Sequence, residues 1–223
     1  MKELFFDIET IPSQLPDIRE ELARNIEPPG NISKAETIAA WHAKKKPALI
    51  EDAYLKTSFD GGTGQVVCIG FAFDDEPPVS YAVCELSRDD ERKIIQDFFS
   101  AITDAGLVQY VGHNVIGFDC PFLWKRCMLL GIKPPAFFPR NPKPWGDTVA
   151  DTMLMWDPNQ RAGGSMERMC RLFGIPGKGD MDGSKVWPMV QAGRMDEVAS
   201  YCRDDVQRTR ALYRRMTFTE CAK

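Results

Sequence analysis

Near the start of the chain, Leu4-Phe5-Phe6-Asp7-Ile8-Glu9-Thr10 sets two carboxylates one residue apart behind three apolar residues. In a strand, side chains alternate between faces, so Asp7 and Glu9 share one. Two acids side by side repel, and nothing within the stretch neutralises them. A divalent cation would do so, and hard cations such as magnesium prefer carboxylate oxygen. Two acids facing water at a frayed strand end would look the same locally. The choice turns on whether the rest of the chain brings further acids to this pair.

Two other places offer them. Asp119 ends Gly112-His113-Asn114-Val115-Ile116-Gly117-Phe118-Asp119, a loop that leaves a predicted strand at 107–111 and enters a predicted helix of about 120–130. Locally it reads either as a helix N-cap or as an acid at the sheet end, facing Asp7 and Glu9. Asn114 is expected to pin this loop by side-chain hydrogen bonds, and Phe118 by burial. The second place is Tyr201-Cys202-Arg203-Asp204-Asp205, within a long helical pattern from Arg194 to Met216. Tyr201 and Asp205 are four apart and project from one helix face. That face overlaps an apolar stripe through Val198, Cys202, Val206 and Tyr213, which turns it toward the protein. An acid there is costly unless paired or metal-bound. Asp204 falls on the outer, solvated face.

Taken in order, Phe5-Phe6-Asp7-Ile8-Glu9-Thr10, His113-Asn114-x-x-x-Phe118-Asp119 and Tyr201-x-x-x-Asp205 resemble the three motifs of the DEDD superfamily. These are the DnaQ-like 3′→5′ exonucleases, built on a ribonuclease H-like fold. Tyrosine four residues before the last acid matches the tyrosine branch. The wording, including Cys120-Pro121-Phe122-Leu123, is similar to proofreading domains of family B DNA polymerases. One motif alone would mean little; three in order are specific. The resemblance implies a pair of Mg²⁺ or Mn²⁺ ions held by Asp7, Glu9, Asp119 and Asp205, with Asp7 bridging. It implies that Tyr201 orients the attacking water, since a phenol with a pKa near ~10 is a poor base at neutral pH. Ile8, Thr10 and Phe118 would pack on the terminal nucleotide, while His113 and Asn114 would shape the pocket. Asp151 is given a capping role. The implied substrate is the 3′ end of single-stranded DNA, with RNA an alternative. The other alternative is a non-catalytic, polymerase-associated subunit. With 223 residues the chain has no room for a polymerase as well, so a free-standing exonuclease is expected.

The elements that must position these residues can be read more coarsely. Composition is globular, with 43% hydrophobic and 27% charged residues, and the net charge of −4 excludes a broadly basic coat for nucleic acid. A grip on a short strand end through metals and a few cations remains compatible. Seven scattered cysteines without C-x-x-C spacing argue against a disulfide framework or a zinc site. With no apolar run of signal or membrane length, the expected compartment is the cytoplasm. After the first strand, a segment at about 12–64 reads as an insertion with helices at 18–26 and 35–46. Strands at 65–73 and 79–84 are expected to pair antiparallel. A helix capped by Ser87 runs to about Asp104, followed by the 107–111 strand, an αβ-like segment around 147–156, and a helix from Ser165 to Phe173. The order implies an α/β chain, one domain over 1–223. Its mixed sheet is antiparallel over the first three strands and then parallel, with helices on its faces. Loop residues Trp145, Trp187, Arg140, Lys143, Lys178 and Lys185 are candidates for stacking or phosphate contact. The insertion is expected to cover the acids and restrict access to single strands.

Overall fold

Strand β1 (Lys2–Ile11) is the middle of the molecule, and its alternation divides the core in two. The computed structural model describes residues 1–144, 146–159, 164–177, 179 and 181–219. Leu4, Phe6 and Ile8 point to one face of the sheet, where they meet the main core with Ile95, Phe98, Ile102 and Leu123. Phe5 points to the other face and packs with Ala72, Val111, Val206 and Tyr213. Asp7 and Glu9, in step with Phe5, therefore belong to that second face.

The remaining strands are β2 (Gln65–Phe73), β3 (Val79–Ala82), β4 (Val108–Gly112) and β5 (Val149–Asp151), in the sheet order β3-β2-β1-β4-β5. Pairing is antiparallel from β3 to β1 and parallel from β1 to β5. This is the mixed sheet expected from the sequence. Helices α4 (Arg88–Ala105) and α5 (Asp119–Leu130) supply the apolar side chains on the Leu4 face. Helix α9 (Met195–Met216) lies across the Phe5 face and packs on β1, β2 and β3. Its outer end is fastened by Arg214 to Glu3 at 2.6 Å, and Arg203 donates to Ser80 Oγ at 2.7 Å.

Residues between β1 and β2 form α1 (Ile18–Asn25), α2 (Ala35–Lys44), α3 (Lys46–Lys56) and a 3₁₀ turn, Thr57–Phe59. The sequence reading ended its second helix at the lysine run before Pro47 and missed α3. Pro47 stands in the first turn of α3, where its absent N–H costs nothing and its fixed φ fits a helix, so it starts one instead of stopping one. Three shorter helices complete the chain: α6 (Thr152–Trp156), α7 (Met166–Phe173) and α8 (Val186–Gln191). Lys185, expected in a loop, ends a 3₁₀ turn, Gly183–Lys185, that runs into α8. Strand β3 stops at Ala82, two residues earlier than expected. The roles foreseen for Trp145 and Lys178 lie outside the described residues.

Candidate active site

Asp7 and Glu9 sit near the C-terminal end of β1, opposite Gly70 and Cys68 of β2. Directly after Glu9 the ladder slips by one residue, with Glu9 against Cys68 but Thr10 against Val66. Such a bulge bends a strand and frees an amide. Here the Val66 amide donates to Glu91 Oε1 at 2.9 Å, and Glu91 is held by Arg126 through two contacts of 2.7 Å, all buried. The end of the strand that carries the acids is thereby fixed from below.

Helix α9 comes close to the acids because β2 has a glycine at the crossing. A Cβ on Gly70 would lie 2.8 Å from Cys202 Sγ and 3.1 Å from the Cys202 carbonyl oxygen. Gly70 is the register partner of Asp7, so the closest approach falls beside the acid. Cys202 donates to the Asp7 carbonyl at 3.5 Å, and its sulfur is 3.9 Å from Asp7 Oδ2. One turn of helix around Cys202 then presents Tyr201 and Asp205, both buried, to the same cleft. The Tyr201 phenol is pushed upward by burial first, then by the charges of Asp205, Glu9 and Asp7, and it donates a hydrogen bond to Asp205. Asp205 Oδ1 also accepts from Arg208 at 2.8 Å, and the same guanidinium holds the Gly177 carbonyl at 3.1 Å. Asp204 is exposed.

Asp119 arrives from the other neighbour. Strand β4 pairs with β1 only as far as Phe5 and Val111, and beyond that point the Ile8 amide donates to Asp119 Oδ1 at 3.1 Å. Asp119 is the first residue of α5, after an N-cap position filled by Phe118, and its carboxylate accepts from its own amide as well as from Ile8 of β1. Burial pushes its pKa up to about 7, and the charge of Asp151 adds to the effect, against the pull first of its own amide and then of the Ile8 amide. The loop before it is tied down mainly by Asp151. That carboxylate accepts from the Asn114 amide at 2.9 Å and the Ile116 amide at 3.0 Å, and it caps α6 through Met153 at 3.0 Å. Asn114 takes the left-handed conformation, φ 65°, which few residues other than glycine and asparagine accept, and its carbonyl accepts from Phe118 at 2.8 Å. The pin is thus Asp151 acting on backbone amides, where the sequence reading had put the Asn114 side chain. His113 has its Nδ1 2.9 Å from Thr152 Oγ1.

A carboxylate oxygen from Asp7, one from Glu9 and the Cys202 sulfur lie within 4.8 Å of one another, the one such cluster among the described residues. The Cys202 thiol is pushed far upward, chiefly by burial and then by Cys68 and the two acids. It stays a neutral wall, leaving a hard, oxygen-donor site that fits a divalent ion such as magnesium or manganese. Neither Asp205 nor Asp119 joins that cluster; each faces it from its own element.

Beside Glu9 a cavity of about 320 Å³ opens, lined by Ile8, Thr10 and Phe118 from the motifs. Its other walls come from α3, the 3₁₀ turn after it, and Gly183, Ser184 and Trp187. His113 and Asn114 are not among the lining residues. Arg140, Lys143 and Lys185 are exposed and stand outside the cavity as well. Sequence reasoning missed Arg208, although its position three residues after Asp205 on one helix is a signal for an ion pair. It also missed Phe59, for which the sequence carries no signal.

The sheet order and the helix across its acidic face define a ribonuclease H-like fold, like that of PolB exonuclease domains. Residues 53–222 match the family described as a "predicted 3′–5′ exonuclease related to the exonuclease domain of PolB", and the chain belongs to that family. Among solved structures it is similar to the family B DNA polymerase from the hyperthermophilic archaeon Pyrobaculum calidifontis, with TM-score 0.61 and 18% identity over 97% of this chain. The match spans 24% of that polymerase, and at this identity the likeness is one of fold. A comparison with curated proteins gives no match.

Proposed function

We propose that the chain is a metal-dependent 3′→5′ exonuclease that releases nucleoside monophosphates from single-stranded DNA ends. The observation that carries this reading is the convergence of Asp7, Glu9, Tyr201 and Asp205 on one cleft, with Asp119 hydrogen-bonded to the strand between the two acids. Asp7, Glu9 and Asp205 would hold the ion that carries the water, with Asp7 shared to a second ion supported by Asp119. Bound there, two divalent ions supply an acidified water and charge stabilisation at the scissile phosphate.

The protein's own part is positioning. Water adds to phosphorus, the P–O3′ bond breaks, and the departing 3′ oxygen takes up a proton as the monophosphate leaves. Burial and then the charges of Asp205, Glu9 and Asp7 disfavour the phenolate of Tyr201. Tyr201 therefore orients water by donating and accepting hydrogen bonds and does not remove the proton. Ile8 lines the cavity beside Glu9, and with Phe118 it gives the terminal nucleotide an apolar surface. Two domain-level readings follow from the same proposal: residues 1–223 act as one exonuclease unit with 12–64 as an insertion, and the enzyme works in the cytoplasm. Among the described residues no helix is long and apolar enough to cross a membrane.

The test is release of mononucleotides from a 5′-labelled strand with Mg²⁺ or Mn²⁺, on DNA and RNA of equal length. Stepwise shortening from the 3′ end that stops with chelator and is lost in Asp7→Ala supports the reading. Activity unchanged in that variant would defeat it, and faster trimming of RNA would move the substrate class.

A further inference from the structure

We infer that α3 and the 3₁₀ turn behind it build a base-binding wall, in which Phe59 stacks on the unpaired terminal base and makes the enzyme select single strands. This rests on the exonuclease reading above and names what that site accepts. The cavity beside Glu9 has the size of a small-ligand site, at about 320 Å³. On the acid side it is continuous with the candidate centre through Ile8 and Glu9. Leu55, Phe59, Phe118 and Trp187 also line it, so much of its lining is aromatic and aliphatic.

Phe59 is 71% exposed and Leu55 43% exposed, which is unusual for large apolar groups at the mouth of one cavity. Charge selects the occupant. Asp52 lines the space with Glu9, and the one lining cation among the described residues, Lys56, is already paired with Asp52 at 2.7 Å. With Glu9 given to the metal centre in the proposed function, that paired lysine leaves little to hold a phosphate there, whereas a neutral, flat nucleobase meets apolar and ring surface. The wall is also pre-set. Thr10 Oγ1 donates to the Ser58 carbonyl at 2.8 Å, the Ser13 amide donates to Thr57 Oγ1 at 2.8 Å, and Thr57 Oγ1 donates to the Tyr54 carbonyl at 2.6 Å. Asp60, the next residue, pairs with Lys125 of α5. Phe59 thus projects from a short turn fastened to β1 on one side and α5 on the other, with little to lose in ordering when a base arrives. A base still in a duplex must first unpair and unstack to enter, which disfavours duplex ends.

The experiment uses the full chain. With chelator present, an oligonucleotide bearing 2-aminopurine at its 3′ end is titrated with wild type, Phe59→Ala and Phe59→Leu, following fluorescence quenching. Cleavage of single-stranded and blunt duplex ends is then compared with Mg²⁺. The expected result is quenching by wild type and binding weakened at least about fivefold in Phe59→Ala. Phe59→Leu should fall between, and the single-strand preference should shrink in the same order. Removing the terminal base should weaken wild type but hardly weaken Phe59→Ala further. Equal quenching and equal preference in wild type and Phe59→Ala would overturn the inference, while loss of cleavage in Asp7→Ala would still sustain the exonuclease reading. Quenching that depends on Phe59 without any metal-dependent cleavage would do the reverse.

Discussion

At the level of single residues, Tyr201 and Asp119 are both displaced upward, toward their protonated, neutral forms. Tyr201 is driven toward the neutral phenol, so replacing it with phenylalanine removes only a hydrogen-bonding hydroxyl. Tyr201→Phe should lower kcat on the order of 10²-fold with KM little changed, read from steady-state cleavage of a labelled strand. Asp119 is driven toward the neutral acid, its pKa raised to about 7 by burial. Its folded value lies above that of an unfolded aspartate, so its contribution to stability is full below about pH 4 and is lost as pH rises through 7. Metal-free protein should therefore melt at a lower temperature at pH 8 than at pH 5. Asp119→Asn should show a smaller fall, measured by thermal denaturation at both pH values in chelator. An equal fall in both would show that Asp119 is not the group responsible.

At the level of elements, the buried Glu91–Arg126 pair joins α4 to α5 and satisfies the Val66 amide left over by the bulge. Arg126→Met would strand a buried carboxylate. Breaking such a pair typically costs about 3–5 kcal/mol, and urea denaturation should show a loss of that order. The effect on cleavage should follow, because the bulge fixes the strand end that carries Glu9. The sequence exposed these elements unevenly. The alternation in β1, the Ser87 cap and the stripe of α9 were legible, since each rests on a local period or a local cap. Asp151 was legible as a cap, but its hold on the Asn114 and Ile116 amides was not, because it joins residues more than thirty apart. Helix α3 was lost to the usual reading of proline as a stop. The same holds for the cavity, whose Phe59 wall depends on where three hydrogen bonds place a turn. The four acids and the tyrosine could be singled out as candidates from their types and spacing together with the family resemblance; their present partners, the Ile8 amide and Arg208, could not.

At the level of the whole molecule, the acids that would hold metal already have internal partners. Asp119 accepts from Ile8, Asp205 is matched by Arg208 and Tyr201, and Asp7 is backed by Cys202. The fold is closed by apolar clusters among the described residues, none of which includes an acid of the site. Chelated protein should thus unfold in one cooperative transition, with a midpoint that climbs as Mn²⁺ is added by mass action. A chelated protein without tertiary structure, seen as loss of near-ultraviolet circular dichroism, would contradict this. On the proposed function, the Arg208 contact implies an order of events during biogenesis. The newly made chain would reach its final shape before it meets any ion, with arginine keeping a seat for positive charge beside Asp205. Loading would then be an exchange of one cation for another late in maturation. The supply of free magnesium or manganese would set how much of the protein is competent to cut, and not how much of it is folded.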